Sequence, residues 1–259
     1  MTEPLPPVGL GTMGIDDAEV VTRALDVGYR HLDTAQIYDN EAVVGDGLAA
    51  GDVAREDVTL ATKLWVDDLA ADRVRASTAE SLARLGVDAV DLSYVHRPRG
   101  GYDPETTLPA LANLVDDGLV GGVAVSNFTE TQLATAAEVL AAHGGRIAAH
   151  QTEYHPLFQR PGLVTHARDH DYPLVAYSPL AGGRAGEIPE VVAVADRYGT
   201  TPEAVCLAWL TAKDGVVTVP KASSVDHLRA NLAATDLALD DDATARIDGI
   251  DREEELFPE

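Results

Sequence analysis

The chain has 259 residues, with 43 acidic against 19 basic side chains and a formal charge of −24. That balance disfavours nucleic-acid binding, which needs Lys and Arg clustered against phosphate. The single cysteine, Cys206, makes an intrachain disulfide impossible and disfavours a cysteine-based zinc site.

In chain order, short β-rich apolar runs alternate with longer helical patterns. Residues 8–12, 30–33 and 59–63 read as the first three strands. A helical stripe of Val74, Thr78, Leu82 and Leu85 leads to a strand at 90–96. Leu108, Leu111, Ala112 and Val115 form the next stripe, before a strand at 121–126. Leu133, Ala136, Ala137 and Leu140 precede strands at 147–153 and 173–177. Helices at 188–198 and 202–212, separated at Gly199-Thr200-Thr201, precede the last strand, 215–219. Thr201 is placed to cap the second of these helices, with Pro202 in its first turn. Most strand starts fall 26 to 31 residues apart, the span of one β-loop-α-loop unit. Eight such units predict an α/β fold with a parallel sheet closed into a (β/α)8 TIM barrel, with residues 1–259 as one domain. Gly9-Leu10-Gly11-Thr12-Met13-Gly14 fits a dinucleotide-binding turn only loosely, because no helix opens directly on it.

In such a barrel the chemistry sits at the C-terminal ends of the strands. Those ends carry Asp33, Lys63, His96, Ser126-Asn127, Gln151, Tyr177-Ser178 and, past the last strand, Lys221; Tyr38 follows Asp33 by five residues. A lone Asp there is ordinarily a cap, and a lone His a satisfied hydrogen bonder. Lys63 inside an apolar run is different, because a buried ammonium needs a carboxylate, and Asp33 on the neighbouring strand is the natural partner. Asp, Tyr, Lys and His at one rim read as a proton-transfer site.

These residues resemble the aldo-keto reductases over nearly the whole chain. Gly28-Tyr29-Arg30-His31-Leu32-Asp33-Thr34-Ala35, continuing to Tyr38, Asn40, Glu41 and Gly45, matches that family's first signature. Lys63-Leu64-Trp65, His96-Arg97-Pro98, Ser126-Asn127-Phe128, Gln151-Thr152-Glu153-Tyr154-His155-Pro156, Tyr177-Ser178-Pro179-Leu180 and Val219-Pro220-Lys221 match later segments in order. The resemblance implies reduction of aldehyde or ketone carbonyls by hydride from NADPH or NADH, with no metal. Tyr38 would be the proton donor, its pKa lowered by Lys63, which Asp33 holds in place, and His96 would orient the substrate carbonyl. Tyr177 would stack on the nicotinamide, with Ser126, Asn127 and Gln151 on its carboxamide and Ser178 and Leu180 in the same cofactor segment. Lys221, Ala222, His227 and Asn231 fall at the adenosine-phosphate positions, and Trp65 in the substrate pocket.

Several positions depart from the family pattern. Ala222 stands for a usual Ser and His227 for a frequent Arg that grips a 2′-phosphate; Lys221 favours NADPH, and the missing Arg leaves NADH open. Arg97 replaces an aromatic, and Met13 a frequent Trp. The loop at 181–186 is short, with Arg184 within reach of a pyrophosphate. The loop from His96 to Thr106 and the chain end, 252–259, are short as well, and together these predict an open pocket for small aldehydes, 2-oxoaldehydes and open-chain sugars.

Two other readings stay open: a cofactor-binding regulatory subunit without catalysis, and a barrel lyase or isomerase using Lys63 as a Schiff base. The first residues show no secretory leader, and no apolar run reaches the roughly 18–20 residues of a membrane span, so a cytoplasmic location is expected, and the resemblance implies a monomer. The acids are dispersed, and lysine occurs only at Lys63, Lys213 and Lys221. That pattern predicts a halophilic surface, adapted to molar salt, where the Debye length falls to about 3 Å; an acidic face for a basic partner is the alternative.

Overall fold

A computed structural model describes residues 4–258. Its eight strands are β1 (Leu10–Gly11), β2 (His31–Asp33), β3 (Thr59–Leu64), β4 (Val90–Val95), β5 (Val120–Ser126), β6 (His150–Glu153), β7 (Leu174–Tyr177) and β8 (Val216–Thr218). They pair in sequence order, each parallel to its neighbour. The ring closes through a parallel bridge between Val8 and Thr218 and backbone bonds from Gly9 to Thr218 (2.8 Å) and Gly11 to Pro220 (3.1 Å). This is the expected TIM barrel. The first ladder is shorter than the 8–12 pattern: Val8 bridges to Thr218 on β8, and only Leu10 and Gly11 pair with β2.

The helices are α1 (Ala18–Val27), α2 (Glu41–Ala50), α3 (Ala71–Leu85), α4 (Pro104–Asp116), α5 (Glu130–Ala142), α6 (Pro161–Asp169), α7 (Pro189–Tyr198), α8 (Pro202–Thr211), α9 (Val225–Ala233) and α10 (Asp241–Asp248). The predicted stripes on α3, α4 and α5 face the sheet, with Val74, Leu111 and Leu133 fully buried. Thr201 caps α8 as expected, its hydroxyl accepting from the Ala204 amide, with Pro202 in the first turn. Thr129 caps α5 in a reciprocal capping box with Gln132, which fixes the chain just beyond Asn127.

Strand register decides which side chains enter the barrel. Gly11 pairs with Asp33, Asp33 with Ala61, Lys63 with Tyr94, Ser126 with Gln151, and Glu153 with Tyr177. Side chains alternate along a strand, so each of these points inward. Below them, Ala61, Leu92, Tyr94, Ala124, Ala149, Val175, Val217 and Val219 form the interior apolar cluster. The two glycines of β1 have steric reasons. A Cβ on Gly9 would lie 2.6 Å from the His31 ring, and one on Gly11 would lie 2.4 Å from the Val219 carbonyl oxygen. The glycine-rich run therefore serves barrel closure.

Candidate active site

Lys63 and Asp33 meet at the C-terminal mouth. The ammonium lies 2.5 Å from Asp33 Oδ1 and donates to the Thr34 carbonyl at 2.9 Å, and both side chains are almost wholly buried. Burial alone pulls the Lys63 pKa down. The Asp33 charge, aided by the Tyr38 hydroxyl, outweighs it and leaves the group above its usual value, so it stays an ammonium.

Tyr38 ends the 3-10 turn Gln36–Tyr38, and Asp39 stops that turn in the left-handed region at φ 53°. Gln36 pins the loop: its oxygen accepts from the Trp65 amide at 2.8 Å, and its nitrogen donates to Ser77 at 2.6 Å. Asn40 fixes the other side through the carbonyls of Thr12 and Ile15. Glu41 joins Thr62 (2.5 Å) to Arg84 (2.7 Å), tying α2 to β3 and α3. The first signature is thus mostly scaffold holding one tyrosine. The Tyr38 ring centroid is 5.2 Å from Lys63 Nζ, and the hydroxyl interacts with the ammonium.

The expected depression of the Tyr38 pKa is not what the geometry gives. Burial raises it, the Lys63 charge opposes burial without cancelling it, and the net position lies above the ordinary tyrosine value. The sequence places the ammonium beside the phenol but not the depth at which the phenol sits.

His96, the first residue past β4, stands edge-on to Tyr38 at 6.0 Å and to Trp65 at 5.0 Å. Burial, then the charges of Lys63, Arg97 and Arg99, push its pKa down to about 2, so the imidazole is neutral. The cofactor candidates adjoin this group. Gln151 donates to Asp33 Oδ2 at 2.7 Å. Asn127, in the left-handed region at φ 62°, donates to the His96 carbonyl and Ser126 Oγ and accepts from the Tyr177 hydroxyl at 3.0 Å. Asp33, Tyr38, Lys63, Trp65, His96, Ser126, Asn127, Gln151 and Tyr177 are thereby linked through shared contacts.

The adenosine-phosphate positions form a separate group. Lys221 and His227 are exposed, and Ser224 caps α9. Ala222 and Asn231 are buried, Asn231 beside the Tyr29 hydroxyl. Ser178 (φ 51°) and Leu180, both half-buried, begin the loop after β7.

Arg184, in the loop after β7, pairs with Glu254 at 2.7 Å. The chain end packs at the mouth: Phe257 stands edge-on to Tyr177 at 5.8 Å, and its carbonyl accepts from Arg97 at 3.5 Å. Glu153, matched in the sequence only as part of the 151–156 segment, accepts from the Leu256 and Phe257 amides. Its signal was an acid at the end of a buried strand. Among the described residues, no cluster of three or more His, Cys, Asp or Glu can hold a metal, and no helix is long and apolar enough to cross a membrane.

A barrel with this mouth defines a class, and comparison identifies it. The chain belongs to the aldo/keto reductase family, whose model matches residues 7–252. It is 36% identical over 256 residues to methylglyoxal reductase DkgB of Salmonella typhi, covering 96% of this chain and 95% of that protein. It is 34% identical over 261 residues to methylglyoxal reductase DkgA of Salmonella typhimurium, covering 98% and 93%. The aldose reductase structure from Schistosoma japonicum superposes with a TM-score of 0.89 at 29% identity, covering 99% of this chain and 94% of that one.

Proposed function

We propose that this protein reduces small aldehydes, ketones and 2-oxoaldehydes to alcohols with NADPH, that Tyr38 is the proton donor, and that one copy suffices. The observation that carries this reading is the buried Asp33–Lys63 pair with the Tyr38 phenol on it. A tyrosine above its usual pKa is protonated at neutral pH, as an acid must be before it acts. As negative charge grows on a carbonyl oxygen, the fixed ammonium of Lys63 stabilises both that oxyanion and the phenolate left on Tyr38. Neutral His96 carries one ring proton with which to hold and orient the carbonyl.

The residues fit a nicotinamide cofactor. Tyr177 has a half-exposed ring, and the polar set of Ser126, Asn127 and Gln151 borders it. Exposed Lys221 beside the capped start of α9 offers a cation and backbone N–H groups for a phosphate, which favours NADPH. When bound, the cofactor supplies the hydride. The named methylglyoxal reductases support 2-oxoaldehydes as substrates.

The test is Tyr38→Phe, assayed by NADPH consumption with methylglyoxal. The rate should fall at least about 100-fold, as for loss of a general acid, while NADPH binding by fluorescence is unchanged. Retention of more than about a tenth of the rate would count against Tyr38.

A further inference from the structure

We propose that Glu153 is a positioning residue that acts through the C-terminal segment: its carboxylate latches residues 256 and 257, so that the Phe257 ring becomes one wall of the substrate pocket. The inference rests on the reading above in taking His96 as the substrate side of the mouth and Tyr177 as the cofactor ring that borders it.

Glu153 ends β6, is 2% exposed, and lies opposite Tyr177 in the ladder. Its Oε1 accepts from the Leu256 amide at 2.7 Å and from His155 Nε2 at 2.8 Å, and its Oε2 accepts from the Phe257 amide at 3.1 Å. A buried carboxylate is costly unless its lone pairs are filled. Here two of the three donors come from a peptide more than a hundred residues away. Two consecutive amides on one carboxylate fix the peptide's position and rotation together. That aims Phe257 at Tyr177, edge-on at 5.8 Å and an interplanar angle of 73°.

The segment is also held by a backbone bond from the Glu254 amide to the Leu157 carbonyl at 2.7 Å, by Arg252 on Glu190, and by two exposed ion pairs. Arg160–Glu253 (3.1 Å) and Arg184–Glu254 (2.7 Å) have side chains about one-third to two-thirds exposed. Such pairs contribute little and are screened by salt. The buried Glu153 contacts are not screened in this way, so in concentrated salt they keep residues 256 and 257 in place while the Glu254–Leu157 backbone bond holds the chain just before them. Phe257 also supplies an aromatic at a mouth where Arg97 follows His96. With Trp65 edge-on to His96, it leaves an entrance suited to carbonyls with a flat apolar end.

The experiment compares full-length protein with Glu153→Gln, which turns one acceptor into a donor facing a backbone N–H. Hydrogen exchange of the peptide containing residues 256 and 257 should speed up by about tenfold or more, with the other barrel peptides unchanged. KM for an aromatic aldehyde should rise about tenfold, with kcat and the NADPH dissociation constant within about twofold. Phe257→Ala should reproduce the KM change, and the double variant should be no worse than Phe257→Ala alone. Unchanged exchange in E153Q overturns the latch, whether or not the protein reduces carbonyls. Faster exchange with an unchanged KM, or additive effects in the double variant, overturns the pocket wall. If E153Q does not fold, Phe257→Ala still decides the wall, and Glu153→Asp, whose shorter carboxylate cannot reach both amides, decides the latch: exchange of residues 256 and 257 should speed up in it, and an unchanged rate overturns the latch.

Discussion

The Lys63 ammonium lies 2.5 Å from the Asp33 carboxylate, with side-chain exposures of 1% and 3%. Gln151 occupies the other carboxylate oxygen. Such a pair is strongly destabilised when one partner is lost, because the other remains as a buried charge. Asp33→Asn should lower unfolding stability by about 3–5 kcal/mol. Asp33→Asn combined with Lys63→Met should be less damaging than Asp33→Asn alone. Denaturant unfolding of the three proteins checks this; equal or greater loss in the double variant would show that the charges do not need each other.

His150 and His96 couple stability to acid. His150 is buried, accepts from the Phe128 amide through Nε2, and has its pKa pushed down to about 3 by burial and then by the His166 charge. The unfolded chain binds protons on both histidines below about pH 6.5 while the folded one does not, so their contribution is complete above that pH and shrinks as pH falls toward 3. Between pH 6.5 and 5 each should remove on the order of 2 kcal/mol. His150→Asn should flatten this part of the profile in denaturant titrations. A profile as steep as that of the unaltered protein would exclude His150 as a source.

Gly9 faces the His31 ring across the interior. Gly9→Ala should cost about 1–3 kcal/mol by overpacking, and His31→Ala in the same background should recover most of it. Thermal melts of the two variants test the pairing. Failure of His31→Ala to recover the loss would place the strain elsewhere on β1.

The charge of −24 repels itself in dilute buffer. Raising KCl from 0.1 M to 2 M should raise the melting temperature and the activity together, as the Debye length contracts from about 10 Å to under 3 Å. An uncharged osmolyte at equal osmolality should do less. A melting temperature indifferent to KCl would remove the case for a salt-adapted surface.

The strand-and-helix alternation, the eight units and the polar residues at strand ends were legible in the sequence because each depends on local periodicity. Two-residue alternation then places Asp33, Lys63 and Gln151 inside without further information. Even the partnership of Asp33 with Lys63 followed from the cost of burying an ammonium alone. Three things needed the tertiary structure. The balance at Tyr38 turned on depth of burial, a property of everything packed around the phenol. The glycines of β1 made sense only once His31 and the Val219 carbonyl lay against them. The Glu153 grip on Leu256 and Phe257 joins positions more than a hundred residues apart, and no local pattern encodes such a contact. Periodicity is written in neighbouring residues; desolvation and long-range hydrogen bonds exist only when the chain is closed upon itself.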